Sequence, residues 1–250
     1  MNRVRVYPQR RRSALPQRRK VSVARVLRLA AFGAGQCRDR GAPTPAPAPG
    51  PRSSHPEGED GEALSGANCD STYVGIQADT MVNAMTVLAK VSERRTDRMV
   101  NSNFSELPAF LVREPGLDSG YMIAQYTAAA LTMELRGLAV PASADNVTTS
   151  ANQEDAVGNA YLAALKAYRA TRKLGYVIAI ELMCAVQALD LLAPLAPSPA
   201  AEALRARIRE TVPTVDEDRV FHTDIEHIAE LVRNGDVLRA VEGVVGALRR

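Results

Sequence analysis

From Leu174 to Leu189 the sequence reads LGYVIAIELMCAVQAL, apolar on nearly every side of a helix. A helix of this kind has no face to give to water and is buried all round. The run falls short of the ~20 residues that a bilayer requires, and Glu181 stands in its middle. It is therefore expected inside protein, not in a membrane, with Glu181 as a paired core carboxylate or a subunit contact. Upstream, Val157, Tyr161, Leu165 and Tyr168 form a stripe that belongs to the same helix. Ser150 with Gln153 fits a capping box that would open it. The predicted helix then reaches about Leu192, and about forty residues at 1.5 Å each span about 60 Å. That exceeds the width of a compact domain, so the helix is expected to pack against other chains.

The rest of the body reads the same way. Val74, Ala78, Met81, Val82, Met85, Leu88 and Ala89 recur at helical spacing and predict a long helix from about 72 to Asn101. A loop follows over 102–119, with turn signals at Pro108 and Pro115-Gly116. Asp118 or Ser119 can cap a helix from Gly120 to about Gly137. Ser198-Pro199 places a cap and a first-turn proline together, and Pro213 closes that helix. Thr223 with Glu226 is a second capping box, opening a helix of about 224–234, and a last helix covers about 236–248. No alternating Val/Ile/Thr-rich run competes for strand. With 4% aromatics and no Trp, an apolar content of 46% suits packed helices, and the expected fold class is all-α.

The charge is uneven. Residues 1–60 carry thirteen Lys+Arg against four Asp+Glu, a net of +9, while the whole chain is +3, so the remainder is −6. Residues 41–60 hold six prolines. The expected division is a basic, Pro-rich, disordered extension over 1–62 and a helical domain over 63–250. The Arg-rich, acid-poor start resembles an organelle transit peptide, and more closely the product of translating GC-rich DNA upstream of a true frame. Without interleaved aromatics it is a poor nucleic-acid tail, and the mildly acidic body gives no reason to expect nucleic acid as a partner. Cys37, Cys69 and Cys184 are isolated, so neither a disulfide framework nor a zinc site is indicated and a reducing, cytoplasmic location is expected.

Five segments carry a resemblance. They are Ser92-Glu93-Arg94-Arg95, LPAFLVREPGLDSGYMIAQYTAAAL from Leu107, PASADNVTTSANQED from Pro141, AIELMCAVQALD from Ala179, and VPTVDEDRVFHTDIEHIAELVRNGDV from Val212. In this order they resemble the C-terminal part of histidine ammonia-lyase and the related aromatic amino acid ammonia-lyases and aminomutases, over roughly residues 64–245. The resemblance implies a long-helix bundle that assembles as an oligomer. It implies cleavage of a C–N bond with release of ammonia, without a metal or diffusible cofactor. The family's electrophile is a methylidene-imidazolone ring made from an Ala-Ser-Gly tripeptide.

No Ala-Ser-Gly occurs in this sequence. Leu64-Ser65-Gly66 and Asp118-Ser119-Gly120 come nearest, and read as a linker end and a helix cap. The family's catalytic tyrosine and Gln/Tyr/Arg substrate motif also have no counterpart. What the resemblance does carry over is Asn152-Gln153-Glu154, the histidine-type form of a substrate motif, with Glu154 as the substrate-facing carboxylate. Read as part of a first helical turn, Glu154 would have its charge favoured by the helix dipole. Asn68 matches a family position, but its neighbours Cys69 and Asp70 stand where the family has Phe and His. The expected substrate-binding residues are thus Asn68, Asn152 and Gln153. His222, Asp224, Glu226 and His227 are close in sequence, yet the two His lie about 140° apart around a helix, which disfavours a metal site. The expectation is a lyase-family chain that is inactive alone, with a non-catalytic helical oligomerisation or interaction subunit as the alternative. Its partner would be another copy of itself or a complementing N-terminal lyase half, and an amino acid would be its substrate only when so complemented.

Overall fold

The computed structural model describes residues 71–154 and 156–248. The basic extension, the division at 62/63, and Asn68, Cys69 and Asp70 lie outside the described residues. Within them the chain is all-α, as the patterning predicts. The helices are α1 (Thr72–Val100), α2 (Ser102–Ser105), α3 (Met122–Leu138), α4 (Ala160–Leu191), α5 (Pro199–Arg209), α6 (His222–Arg233) and α7 (Asp236–Val245). Short 3-10 turns occupy Ala109–Leu111 and Ser150–Asn152.

Cross-contacts fix the directions of the three long helices. Asp79 meets Lys166, Thr171 donates to Met85 Sδ, and Ser92 meets Glu181, so α1 and α4 run parallel. Thr86 reaches Leu135 O and Gln125 reaches Glu93, so α3 runs back antiparallel between their ends. The core divides along α4. Its first half packs Ala170, Leu174 and Val177 against Val82, Met85, Leu88, Ala89 and Leu135. Its second half packs Ile180, Met183, Cys184 and Val186 against Leu111, Tyr121, Ala128, Ile208 and Ile228. By length and composition α4 could cross a membrane. From Leu174 to Asp190 no residue of it is exposed, however, and its cover is the surrounding helices.

Several local expectations change. The helix expected from Ser150 begins at Ala160, because Ser150, Ala151 and Asn152 adopt positive φ of 51°, 53° and 72° and cannot open a right-handed helix. Its 32 residues span about 48 Å, not about 60 Å. Tyr161 and Tyr168 point to solvent; Ala163 and Ala170 form the buried stripe instead, since small side chains let α1 approach closely. On α1 the buried face includes Asp79, Ser92 and Glu93, while Val74 is exposed. Ser198 does cap α5, accepting from Ala201 N at 3.3 Å, but α5 ends at Arg209, before Pro213. Thr223 caps nothing, because α6 starts at His222 and Glu226 accepts instead from the Tyr176 hydroxyl at 2.8 Å. α3 starts at Met122 with no side-chain cap, so neither Asp118 nor Ser119 supplies one. Asp218 accepts from the amides of Ser119 and Gly120 at 2.8 and 2.7 Å, and these bonds hold its carboxyl below the usual range. Gly120 sits at φ 51°, where a Cβ would lie 2.6 Å from Phe110 O, so the Asp-Ser-Gly string is a turn that only glycine can make.

The buried polar groups of α4 tie the pieces together. Glu181 accepts from Ser92 Oγ at 2.5 Å and from Arg95 through both carboxylate oxygens. Gln187, 1% exposed, donates to Leu111 O and Val215 O at 3.2 and 2.8 Å and accepts from Val215 N at 3.1 Å. Asp190 accepts from Arg209, Arg205 and Thr214. Burial alone would raise its carboxyl; the Arg209 guanidinium first, then Thr214 and Arg205, outweigh that and hold it low. Gln187→Leu keeps bulk but strands three backbone groups in the core. The expected loss is roughly 3 kcal/mol or more, read as a lower urea midpoint at unchanged slope.

Candidate functional site

The loop from Pro141 to Asn159 joins α3 to α4 and carries the Asn152-Gln153-Glu154 motif. Its near end is anchored on a buried carboxylate. Asp79, 4% exposed, accepts from Ala142 N and Ser143 N at 2.9 Å each and from Ser143 Oγ at 2.8 Å. Lys166 of α4 adds a contact at 3.3 Å and also donates to Val140 O. Burial by itself pushes the Asp79 carboxyl up. The Ser143 and Ala142 bonds and the Lys166 ammonium outweigh it, so the group lies below its ordinary value. The far end is tied by side-chain amides: Asn146 Oδ1 accepts from Val157 N at 2.9 Å, and Asn159 Nδ2 donates to Asp145 O at 2.8 Å.

Between these anchors the chain makes a tight reversal. Thr149 and Glu154 face each other as an antiparallel pair, with Thr149 N donating to Glu154 O at 2.9 Å and Glu154 N to Thr149 O at 3.3 Å. The three left-handed residues, Ser150, Ala151 and Asn152, sit inside the reversal. None is glycine, so the turn carries strain of about 1 kcal/mol or more per residue. Thr149 Oγ1 donates to Glu154 Oε2 at 2.6 Å.

The predicted site residues thus fall as follows. Asn152, Gln153 and Glu154 are together on one reversal, and all three are exposed. Asn68 lies outside the described residues. Glu154 is not in a first helical turn. It precedes α4 by six residues, so no helix dipole acts on it as expected, and its carboxylate is held by a hydroxyl instead. A carboxylate with one oxygen so engaged can use the other to hold an ammonium group or take a proton. Asx-type side chains at 146 and 159 could have signalled a structured loop in place of a helix; nothing local signals the left-handed run at Ser150 and Ala151.

The acidic residues near the start of α6 have structural partners. Asp224 pairs with Arg219 at 2.6 Å, Glu226 takes the Tyr176 hydroxyl, and His222 and His227 are exposed. Among the described residues no group of three or more His, Cys, Asp or Glu could hold a metal. Cys184 is buried, and burial pushes its thiol up, which removes it as a nucleophile. A cleft of about 450 Å³ opens beside the start of α3 and α6, lined by Ile123, Ala124, Thr127, Phe221, His222 and Ile225 among others. Glu154 does not line it. The ring electrophile that the resemblance implies does not fit these residues, since Asp118-Ser119-Gly120 is committed to the α3 turn and to Asp218.

Comparison with known proteins gives consistent matches. The family model for aromatic amino acid lyases matches residues 47–210. The chain is 46% identical to a histidine ammonia-lyase from Symbiobacterium thermophilum over 190 residues, which are 76% of this chain and 38% of that protein. Among solved structures, histidine ammonia-lyase from Trypanosoma cruzi superposes with a TM-score of 0.71 at 40% identity, over 76% of this chain and 37% of the other. Tyrosine aminomutase from Streptomyces globisporus does so at 0.69 and 34% identity, over 75% and 36%. The chain therefore spans less than two-fifths of the length of these relatives.

The loop anchor has a pH signature. Because the folded Asp79 carboxyl lies below its ordinary value of 3.8, its contribution is complete above that pH and is lost as pH falls through the lower folded value. Asp79→Asn is expected to lower stability at neutral pH and to flatten the loss below about pH 4, measured by thermal unfolding across acid buffers.

Proposed function

Because this chain belongs to the aromatic amino acid lyase family, we propose that it supplies the C-terminal helical portion of an ammonia-lyase of the histidine type. In this reading it is inactive alone and works with a polypeptide that brings the electrophile. The observation that carries the reading is a single contrast: the Asn152-Gln153-Glu154 motif is held on an anchored reversal, in a sequence that has no Ala-Ser-Gly. The histidine-type relatives support the choice of substrate class.

The residues of this chain would do three things. The α1–α3–α4 layer gives a rigid base for the loop. Asp79 and Lys166 fix where the loop leaves that base. Glu154 faces the amino acid, where its carboxylate holds the ammonium group or handles a proton, while Asn152 and Gln153 offer amide donors and acceptors to the substrate. The electrophile and the remaining substrate contacts would come from the other polypeptide.

A second reading, a non-catalytic helical subunit, is favoured by the side chains that the helices leave outward. Tyr73 and Val74 on α1, Ile123 and Tyr126 on α3, and Tyr161 on α4 are all more than half exposed. Apolar groups on three helices suit assembly with another chain or copy. Cys69 and Asp70, in place of Phe and His, point the same way.

One experiment separates the two. The purified chain is mixed with an N-terminal lyase half that carries Ala-Ser-Gly, and conversion of histidine to urocanate is followed in the near ultraviolet. Turnover by the pair and by neither half alone is the expected result. A folded, associated pair without turnover overturns the lyase reading and leaves the scaffold. A monomer by light scattering, at all concentrations, overturns the scaffold.

A further inference from the structure

Resting on the role proposed for Glu154, we infer that Thr149 is a positioning residue that fixes the Glu154 carboxylate for reaction. Thr149 and Glu154 are directly opposed in an antiparallel pair, bonded through both backbone amides. Opposed side chains of such a pair emerge on the same side, a few ångströms apart. The hydroxyl of Thr149 therefore meets the Glu154 carboxylate as a consequence of the backbone pairing, and closes on Oε2 at 2.6 Å. Glutamate has three side-chain torsions, and an exposed one samples many rotamers. Here the hydroxyl selects one, and it does so at a residue whose own backbone is held by the same partner.

The left-handed residues explain why the partner lies five positions upstream. Ser150, Ala151 and Asn152 turn the chain back tightly enough to set residue 154 against 149, and Asn152 N and Glu154 N both donate to the single carbonyl of Thr149. Two of the three motif residues, Asn152 and Glu154, are thus referred to one threonine, while Gln153 N donates to Ser150 O. Valine has the shape of threonine without the donor, and serine has the donor without the methyl. The two substitutions separate hydrogen bonding from packing.

The test uses the full chain paired with the Ala-Ser-Gly half. Thr149→Val is expected to lower kcat about tenfold while KM stays within about twofold, because the bond matters where charge moves and not for ground-state binding. Thr149→Ser should recover most of that loss. In a Glu154→Gln background, Thr149→Val should have no further effect, since a positioning residue acts only through the group it positions. A Thr149→Val loss that persists when Glu154→Gln is also present, or that Thr149→Ser fails to recover, overturns the inference. So does an active wild-type pair that Thr149→Val leaves unchanged. A silent wild-type pair overturns the proposed function itself, and with it any catalytic use of Thr149.

Discussion

The fold depends on how α4 satisfies the few polar groups it buries. A helix covered on every side can carry an amide or a carboxylate only if each is paired, because an unpaired one costs about 1–3 kcal/mol or more. Gln187 meets that demand by acting as a piece of backbone: its amide pairs with Val215 through both N–H and C=O, as a neighbouring strand would, and takes Leu111 O besides. Asp190 does the same with the guanidinium groups of α5, and Glu181 with Arg95 and Ser92 of α1. The loop at 107–121, the segment at 212–218 and the helices α1 and α5 are each located by one of these three side chains. The apolar clusters supply most of the driving force, but these bonds decide where the irregular segments lie.

Much of this was legible in the sequence, for a physical reason. α1, α3, α5 and the buried half of α4 rest on helical periodicity and on the Ser198-Pro199 start, which are local signals. The failures share a cause as well. The Ser150 and Thr223 capping boxes are valid patterns, yet at Ser150 the backbone is left-handed, and at Thr223 the acid three residues on belongs to Tyr176. The turn before α3 is fixed by Asp218, about a hundred residues away, and no local rule finds it. Tyr161 and Tyr168 looked like core by hydrophobicity, but the close parallel approach of α1 selects alanine at that face.

The candidate site was half legible. The residue types Asn152, Gln153 and Glu154 stood out by resemblance, and they do lie together. Their setting did not stand out. A first-turn glutamate would draw on a helix dipole, whereas Glu154 draws on a threonine and on a strained reversal braced by Asp79. The difference matters for chemistry. A dipole favours charge without choosing a rotamer, while a short hydroxyl bond on a paired backbone also sets direction. Asp79, buried on α1 more than sixty residues before the motif, was missed because its partners are backbone amides.

The bonds that Asp218 makes to the turn before α3 have a consequence for the order in which the chain acquires its shape. The turn at Ser119-Gly120 and the carbonyl of Leu111 find their partners only in Asp218 and Gln187. As the polypeptide leaves the ribosome, α1 and α3 can pair early and the segment between them can close its own turns, but Ser119 N, Gly120 N and Leu111 O lack these partners until α4 and then residue 218 have emerged. Contacts of that sequence separation are closed late and at a high entropic cost. The middle of the chain thus waits on its last third, and the start of α3 is among the last places to become fixed.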